Sequence, residues 1–345
     1  MTTAVALSGG ADSLLSLALT LEKEKSPLAV HAFFLPPDSK AYKTQEAIQA
    51  LCDKLGVSLY TFDLSTSFKE LIIEPFIQTY LQGRTPNPCA LCNKKIKFGL
   101  LLEKAMQCGA TALATGHYAR VKDDCRHAPG LYRGLDPAKE QSYFLSLLSR
   151  EQLKRTFFPL EIWHKEQTYL ELQKRGLQVP LAQESQEVCF IPDNDYRTFL
   201  IRQKIDLPGP GKIKDSSGKV LGEHQGLWGY TIGQRRGLGI AYSEPLYVLG
   251  KNNAQNTLIV GTKKELHSSS CLVKDINCLL PFKEWPETIY VQTIYRQEAK
   301  PAQVKANQEG LQVHFRAPRK PASPGQIATF YSSAGRVLGG GIIHD

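Results

Sequence analysis

The chain has 345 residues, 42% hydrophobic and 22% charged, the composition of a globular protein with room for two or three compact units. No apolar run reaches membrane-spanning length, and no Lys or Arg precedes Lys23 to flank the apolar residues 14–21; neither a membrane anchor nor a conventional signal peptide is expected, and a cytoplasmic location is. Eight cysteines over this length are too sparse for the disulfide framework of a small secreted domain. The formal charge of +9 suits a polyanionic partner, but on its own it suits a solvated basic surface equally well.

From residue 1 to about 195, short apolar runs alternate with helix-length amphipathic segments, the pattern of a doubly wound parallel sheet flanked by helices. Strands are expected at residues 4–7, 28–34, 57–62 and 111–115, and helices at 12–25, 42–55, 68–81 and 95–108. The texture changes after residue 204, where Leu207-Pro-Gly-Pro-Gly211 opens a stretch of short extended segments punctuated by glycine. Three domains are therefore expected: 1–204, α/β; 205–266, small and β-rich; and 267–345. The middle one carries hairpins pairing residues 212–213 with 220–221 and 246–249 with 257–260. The last reads as strands at 289–295, 303–306, 312–316 and 327–331, and a small β-barrel is expected.

Two segments carry chemistry. Ser8-Gly-Gly-Ala-Asp-Ser13 leaves the first strand, turns on two glycines and opens a helix. Glycines there expose consecutive N–H groups and the helix start adds partial positive charge, which together cradle phosphate oxygens. Ser8 and Ser13 can donate further hydrogen bonds, and Asp12 can hold a magnesium ion; the plain alternative is an ordinary capped strand-to-helix turn. The second segment, Arg84-Thr-Pro-Asn-Pro-Cys-Ala-Leu-Cys-Asn-Lys-Lys-Ile-Lys-Phe98, places Cys92 ahead of the expected helix, where the helix start and Lys94, Lys95 and Lys97 would favour its thiolate. Cys89-x-x-Cys92 alone would more often be a metal corner, and Cys189, in Val-Cys-Phe-Ile, a buried small hydrophobe.

The loop string is similar to the signature of the PP-loop ATP pyrophosphatase superfamily, which cleaves ATP between the α and β phosphates and adenylates a substrate. Beyond it, Thr85-Pro-Asn-Pro88, Leu91-Cys-Asn-Lys94, Ile96-Lys-Phe98, Ala114-Thr-Gly-His-Tyr-Ala-Arg120, Lys139-Glu-Gln-Ser-Tyr-Phe-Leu145, Ser185-Gln-Glu-Val-Cys-Phe-Ile191 and the run from Gly226-Leu-Trp-Gly to Gly239-Ile240 resemble the bacterial and organellar tRNA-specific 2-thiouridylase family. The resemblance implies a PP-loop domain, a small central domain and a C-terminal β-barrel that clasp the anticodon arm of tRNAs for lysine, glutamate and glutamine. It implies ATP and Mg²⁺ as cofactors, and a persulfide protein, such as a cysteine desulfurase or a relay, as sulfur donor.

Carried over position by position, the resemblance makes Cys92 the nucleophile and Cys189 the persulfide carrier, the two closing a transient disulfide. It gives the nucleotide to Ala6, Leu7, Ser8, Gly9, Gly10, Ala11, Asp12 and Ser13, with Phe34 and Gly116. His117 falls near the target base, and Lys139, Glu140, Gln141, Ile294, Tyr295, Arg296 and Gln326 match tRNA contacts. The implied reaction adenylates the C2 oxygen of the wobble uridine and replaces it with sulfur, releasing AMP and pyrophosphate. One position departs: where many family members have an acid three residues before the nucleophile, this chain has Cys89. Cys89, Cys92 and Cys189 could then ligate a [4Fe–4S] cluster instead. Outside the family, the alternatives are a PP-loop ligase adenylating another acceptor and a non-catalytic RNA-binding protein with a vestigial ATP site.

Overall fold

The computed structural model describes residues 2–124, 127–180 and 188–344. Strands β1 (Thr3–Ala6), β2 (Leu28–Phe33), β3 (Leu59–Asp63) and β4 (Ala112–Ala114) are parallel, as their near-continuous apolar runs require of strands covered on both faces. A hairpin, β5 (Ala119–Asp124) and β6 (His127–Arg133), follows, and β7 (Thr156–Phe157) completes the sheet in the order β3-β2-β1-β4-β7. Central β1 is registered with Val5 opposite Ala29 on one side and Ala114 on the other, and all three are fully buried.

Helix α1 (Ala11–Lys23) lies against the sheet through Leu14, Leu15 and Leu17. Its buried polar residues are satisfied within the helix, Ser16 donating to the Asp12 carbonyl at 2.8 Å and Thr20 to that of Ser16 at 2.7 Å. Helix α2 (Ser39–Leu55) is capped by Asp38, whose carboxylate accepts from Ala41 N–H at 2.8 Å. The two remaining expected helices begin earlier than the periodicity suggests. One runs as α3 (Ser65–Phe68), a π-wound stretch (Lys69–Ile73) and α4 (Glu74–Leu81). The other starts at α5 (Pro88–Cys92), with Asn87 as N-cap and Pro88 at its first position, and continues through a π-wound stretch (Asn93–Leu101) into α6 (Leu102–Gln107).

The middle unit is a four-stranded sheet in the order β10-β11-β8-β9, where β8 (Gly211–Asp215) and β9 (Val220–His224) form one expected hairpin and β10 (Tyr247–Asn252) and β11 (Thr257–Gly261) the other. The last unit is a closed barrel. Its strands β12 (Ser268–Cys278), β13 (Ile289–Gln292), β14 (Lys300–Asn307), β15 (Gly310–Arg319), β16 (Ile327–Tyr331) and β17 (Val337–His344) run in the order β12-β15-β14-β13-β16-β17, and β17 pairs back onto β12, so no edge stays open. The strand expected to reach residue 295 ends at Gln292, because the chain turns through Tyr295 and Arg296, the latter at φ +62°.

The units are docked by specific bonds. Helix α7 (Ser142–Leu145) carries Tyr143, fully buried, whose hydroxyl donates to the Ile327 carbonyl at 3.1 Å. Asn277 donates to the carbonyls of Ser146 at 2.8 Å and Leu148 at 2.7 Å. From the middle unit, Lys251 Nζ reaches the Gly83 carbonyl at 2.7 Å and Asn253 that of Gln82 at 2.8 Å. No helix among the described residues is long and apolar enough to cross a membrane.

Candidate active site

The chain leaves β1 toward β2 and β3 on one side and returns with β4 on the other, so the strand order reverses beside β1. A crevice opens at such a switch point, at the carboxyl ends of the strands, and ligands of open α/β sheets bind there. The phosphate-loop motif forms its floor. Leu7 N–H is still held by the Val30 carbonyl at 2.8 Å; then Gly9 adopts φ +84°, and Gly10 leads into α1 with no side-chain cap, leaving the first N–H groups of the helix to face the crevice.

The two loop serines do not reach outward as expected. Ser13 donates to the Gly10 carbonyl at 2.8 Å and Ser8 donates to Ser13 Oγ at 3.2 Å, so both hydroxyls brace the turn. Asp12 carries a partner that sequence reasoning missed: Lys165, at the start of α9 after the short α8 (Arg150–Lys154), places Nζ 2.6 Å from Asp12 Oδ1 with only 11% of its side chain exposed. The Tyr118 hydroxyl donates to the same oxygen at 2.8 Å. Tyr118 lay inside the Ala114 to Arg120 motif; Lys165 sits in an amphipathic helix with no local signal. From the end of β4, Gly116 presses on the loop so closely that a Cβ there would lie 2.8 Å from the Asp12 carbonyl carbon. His117 is buried between Phe98 and Phe158, its Nδ1 2.7 Å from Thr115 Oγ1. Burial first, and the charge of Lys97 second, push its imidazole well below the usual range, so it is neutral at neutral pH.

Phe34, just past β2, stacks on Phe68 with centroids 5.4 Å apart, and Phe68 meets Phe190 edge-on at 5.8 Å. This aromatic row runs from the carboxyl end of the sheet to the residue after Cys189. Cys89 and Cys92 are one helical turn apart on α5. Cys92 is 8% exposed, whereas Cys89 and Cys189 have open surface although protein atoms crowd their sulfurs. In all three, burial pushes the thiol up while Lys97 pulls it down; Cys189 and Cys89 act on Cys92, and Cys89 acts on Cys189. The three sulfurs are thus within electrostatic reach of one another.

The expected thiolate at Cys92 is not met: its thiol rises to about 12. Cys92 ends a helix already one turn old rather than preceding one, and of the three lysines only Lys97 acts on it. In a π-wound helix the residue five ahead stands over its predecessor, and Lys97 has that relation to Cys92. Alkylation of Cys92 in the free protein should therefore be slow near pH 7 and rise about tenfold per pH unit to beyond pH 10. Peptide mass spectrometry after iodoacetamide treatment reads this, and a plateau below about pH 9 would show that the thiol ionises at its ordinary value.

Among the described residues, no three of His, Cys, Asp and Glu converge as a metal-holding group, so Cys89, Cys92 and Cys189 do not, as placed, make the ligand set of a cluster. At Asp12 both contacts fall on Oδ1. The carboxylate beside a phosphate cradle is the right hard-oxygen donor for magnesium.

The residues expected at the RNA divide into two groups. Glu140, Tyr295 and Arg296 line a cleft of about 370 Å³ between the α/β unit and the barrel, together with Arg133, Tyr290 and Gln292. Glu140 is 7% exposed and ion-paired with Arg133 at 2.8 Å, burial outweighing that partner and raising its carboxyl. Gln141 accepts from Tyr118 N–H at 3.0 Å. These two side chains serve the framework. Lys139 is half-buried, Tyr295 packs on Phe144 with centroids 4.4 Å apart beside Ile294, and Arg296 is exposed. Gln326 lies away from the cleft, its amide bonded to the loop before Cys89.

Comparison with known proteins covers the whole architecture. Residues 1–193 match the tRNA methyl transferase HUP domain, 197–262 the tRNA methyl transferase PRC-barrel domain and 268–343 the aminomethyltransferase beta-barrel domain. Proteins named tRNA-specific 2-thiouridylase MnmA are 49% identical in Nitratidesulfovibrio vulgaris strain Miyazaki F, over 99% of both chains, and 49% identical in Oleidesulfovibrio alaskensis, over 99% of this chain and 98% of that one. The protein of the same name from Lawsonia intracellularis is 45% identical over 99% of both. With its phosphate loop, its cysteines and all three domains matched end to end at this identity, the chain belongs to the tRNA-specific 2-thiouridylase family.

Proposed function

We propose that this protein uses ATP to adenylate the C2 oxygen of the wobble uridine of a tRNA and replaces that oxygen with sulfur. The observation that carries the reading is the meeting, in one crevice, of an uncapped helix start behind Gly9 and Gly10 and the aromatic row that leads to Cys189. A pyrimidine carbonyl does not surrender oxide, whereas its adenylate departs as AMP. Residues Ala6 to Ser13 bind the phosphates, and Phe34 and Gly116 bound the nucleotide; magnesium held at Asp12 would neutralise phosphate charge. Residues 1–204 are the ATP-using unit, 205–266 the central unit and 267–345 the RNA-binding barrel.

Cys189 carries the persulfide. Its outer sulfur bonds to C2 as AMP leaves, and Cys92 then takes the inner sulfur, closing a Cys92–Cys189 disulfide and freeing the thiocarbonyl. A later thiol exchange restores both cysteines. The raised Cys92 thiol supports a resting state that becomes reactive only when RNA or donor loosens its surroundings. The donor is a persulfide protein, such as a cysteine desulfurase or a relay, the tRNAs are those for lysine, glutamate and glutamine, and the setting is the reducing cytoplasm. Methyl transfer, which the domain descriptions mention, calls for neither an ATP pyrophosphatase loop nor paired thiols.

The test is incubation with unmodified tRNA, ATP, magnesium and a persulfide donor, followed by nucleoside mass spectrometry. 2-Thiouridine accompanied by AMP and pyrophosphate supports the reading. Pyrophosphate without thiolated tRNA would point to another acceptor, and neither product to an RNA-binding protein. Charge reversal at Lys139 or Arg296 should weaken tRNA binding and lower the slope of log affinity against log salt by about 0.7 to 0.9 each, the value of one lost phosphate contact. Filter binding across a salt series measures it, and an unchanged slope would put the residue outside the interface.

A further inference from the structure

The barrel does more than stand beside the cysteine helix; it grips the segment from which that helix starts. Gln326 Nε2 donates to the Pro86 carbonyl at 2.7 Å and to the Thr85 carbonyl at 3.2 Å. An amide has two N–H donors, and both are engaged here, 240 and 241 residues away in the chain. Asn87 Nδ2 donates to Gln326 Oε1 at 3.3 Å, while Asn87 Oδ1 caps α5 by accepting from Ala90 N–H at 3.1 Å. One asparagine thus joins the barrel to the first turn of the helix that carries Cys89 and Cys92. The backbones are bonded as well, Thr85 N–H donating to the Pro324 carbonyl at 2.8 Å, and they approach so closely that a Cβ at Gly325 would lie 2.8 Å from the Thr85 oxygen.

The barrel side of this contact is rigidly framed. Gly325 N–H donates to the Ile343 carbonyl at 2.9 Å and Ile343 N–H to that of Gln326 at 2.8 Å, tying the turn to β17. Gln326 opens directly into β16, which pairs with β13 through Tyr331 opposite Tyr290, and β13 runs into the turn of Tyr295 and Arg296. The cleft and the cysteine helix are therefore referenced to the same pair of strands.

We infer that Gln326 and Asn87 form an interdomain latch by which the barrel sets the position of the Cys89–Cys92 helix, making Gln326 a positioning residue for sulfur transfer and not an RNA contact. The kinetic part rests on the thiolation reading; the structural part does not. A Gln326 that touched RNA would have to give up its bonds to both carbonyls, whereas a latch keeps them and acts through Asn87.

The experiment compares full-length Gln326→Ala, Gln326→Glu and Asn87→Ser with the parent protein. Asn87→Ser keeps a capping hydroxyl but removes the amide donor. Hydrogen–deuterium exchange without RNA should quicken by about tenfold across residues 85–92 in each variant, the scale expected when one or two buried hydrogen bonds are lost, with strands β12 to β17 unchanged. tRNA affinity should stay within about twofold, while kcat for 2-thiouridine formation falls by about tenfold at unchanged KM for tRNA. Unchanged exchange together with a tenfold loss of tRNA affinity would overturn the latch and make Gln326 an RNA contact. Should the Gln326 variants loosen the whole barrel, Asn87→Ser, outside the barrel, decides alone. If the parent does not thiolate tRNA, the exchange result still stands or falls by itself.

Discussion

Asp12→Asn should lower tRNA-dependent pyrophosphate release by roughly 10²- to 10³-fold, the cost of removing one preorganised charge from a water-poor site. The carboxylate is the group that both Lys165 Nζ and the Tyr118 hydroxyl address, at 2.6 and 2.8 Å, on the first turn of the helix whose N-terminus faces the phosphates. Asparagine keeps the shape and one acceptor oxygen but loses the charge that pairs with Lys165 and suits magnesium. Because the barrel and cleft are untouched, tRNA affinity should be unchanged. A pyrophosphate assay alongside tRNA binding separates the two, and parallel losses in both would place Asp12 in a general structural role.

The cysteines should divide differently. Cys92→Ser and Cys189→Ser are each expected to reduce 2-thiouridine formation by about 10³-fold or more, since a hydroxyl neither carries a persulfide nor closes a disulfide. Both should still release pyrophosphate, because the phosphate loop lies on other elements. Cys89→Ser should retain near-parent activity in a protein free of bound iron, for Cys89 acts on its neighbours only by raising their thiols. The same preparations, purified without oxygen, test the cluster alternative. Iron near four per chain, with all three variants inactive, would make the cysteines cluster ligands and overturn the persulfide route.

What could be read in the sequence was what local pattern dictates. The four core strands announced themselves by apolar runs, and the phosphate loop by glycines at the one place where a strand must turn into a helix. Hairpin β5–β6 escaped because Pro129-Gly130 reads as a turn, although Gly130 pairs with Lys122 inside the ladder. The first and last barrel strands were missed for a related reason: Gly339, Gly340 and Gly341 interrupt β17 in the sequence, while in space they are where it passes other backbone. The chemistry of Cys92 was misjudged because burial is a property of the fold; three flanking lysines pointed to a thiolate, and the packed interior left only Lys97 to act. Glu140 and Gln326 show the same limit, since a polar residue in a surface-like motif says nothing of whether its partner is solvent, RNA or the protein itself. Residues 181–187, just before Cys189 and bearing much of its motif, lie outside the described residues.

The glycines of β17 also bear on how such a protein can diverge. A Cβ at Gly340 would sit 2.5 Å from Ser146 Oγ, on the far side of the seam between barrel and α/β unit. Most contacts between domains can be renegotiated, because a lost side chain on one face is answered by a larger one opposite. Here one face has no side chain to trade. Lineages are free to re-sort the charges of the cleft and so adjust which RNAs they grip, but this seam accepts not even one added methyl, and the angle at which the barrel presents its cargo to the crevice is inherited rather than tuned.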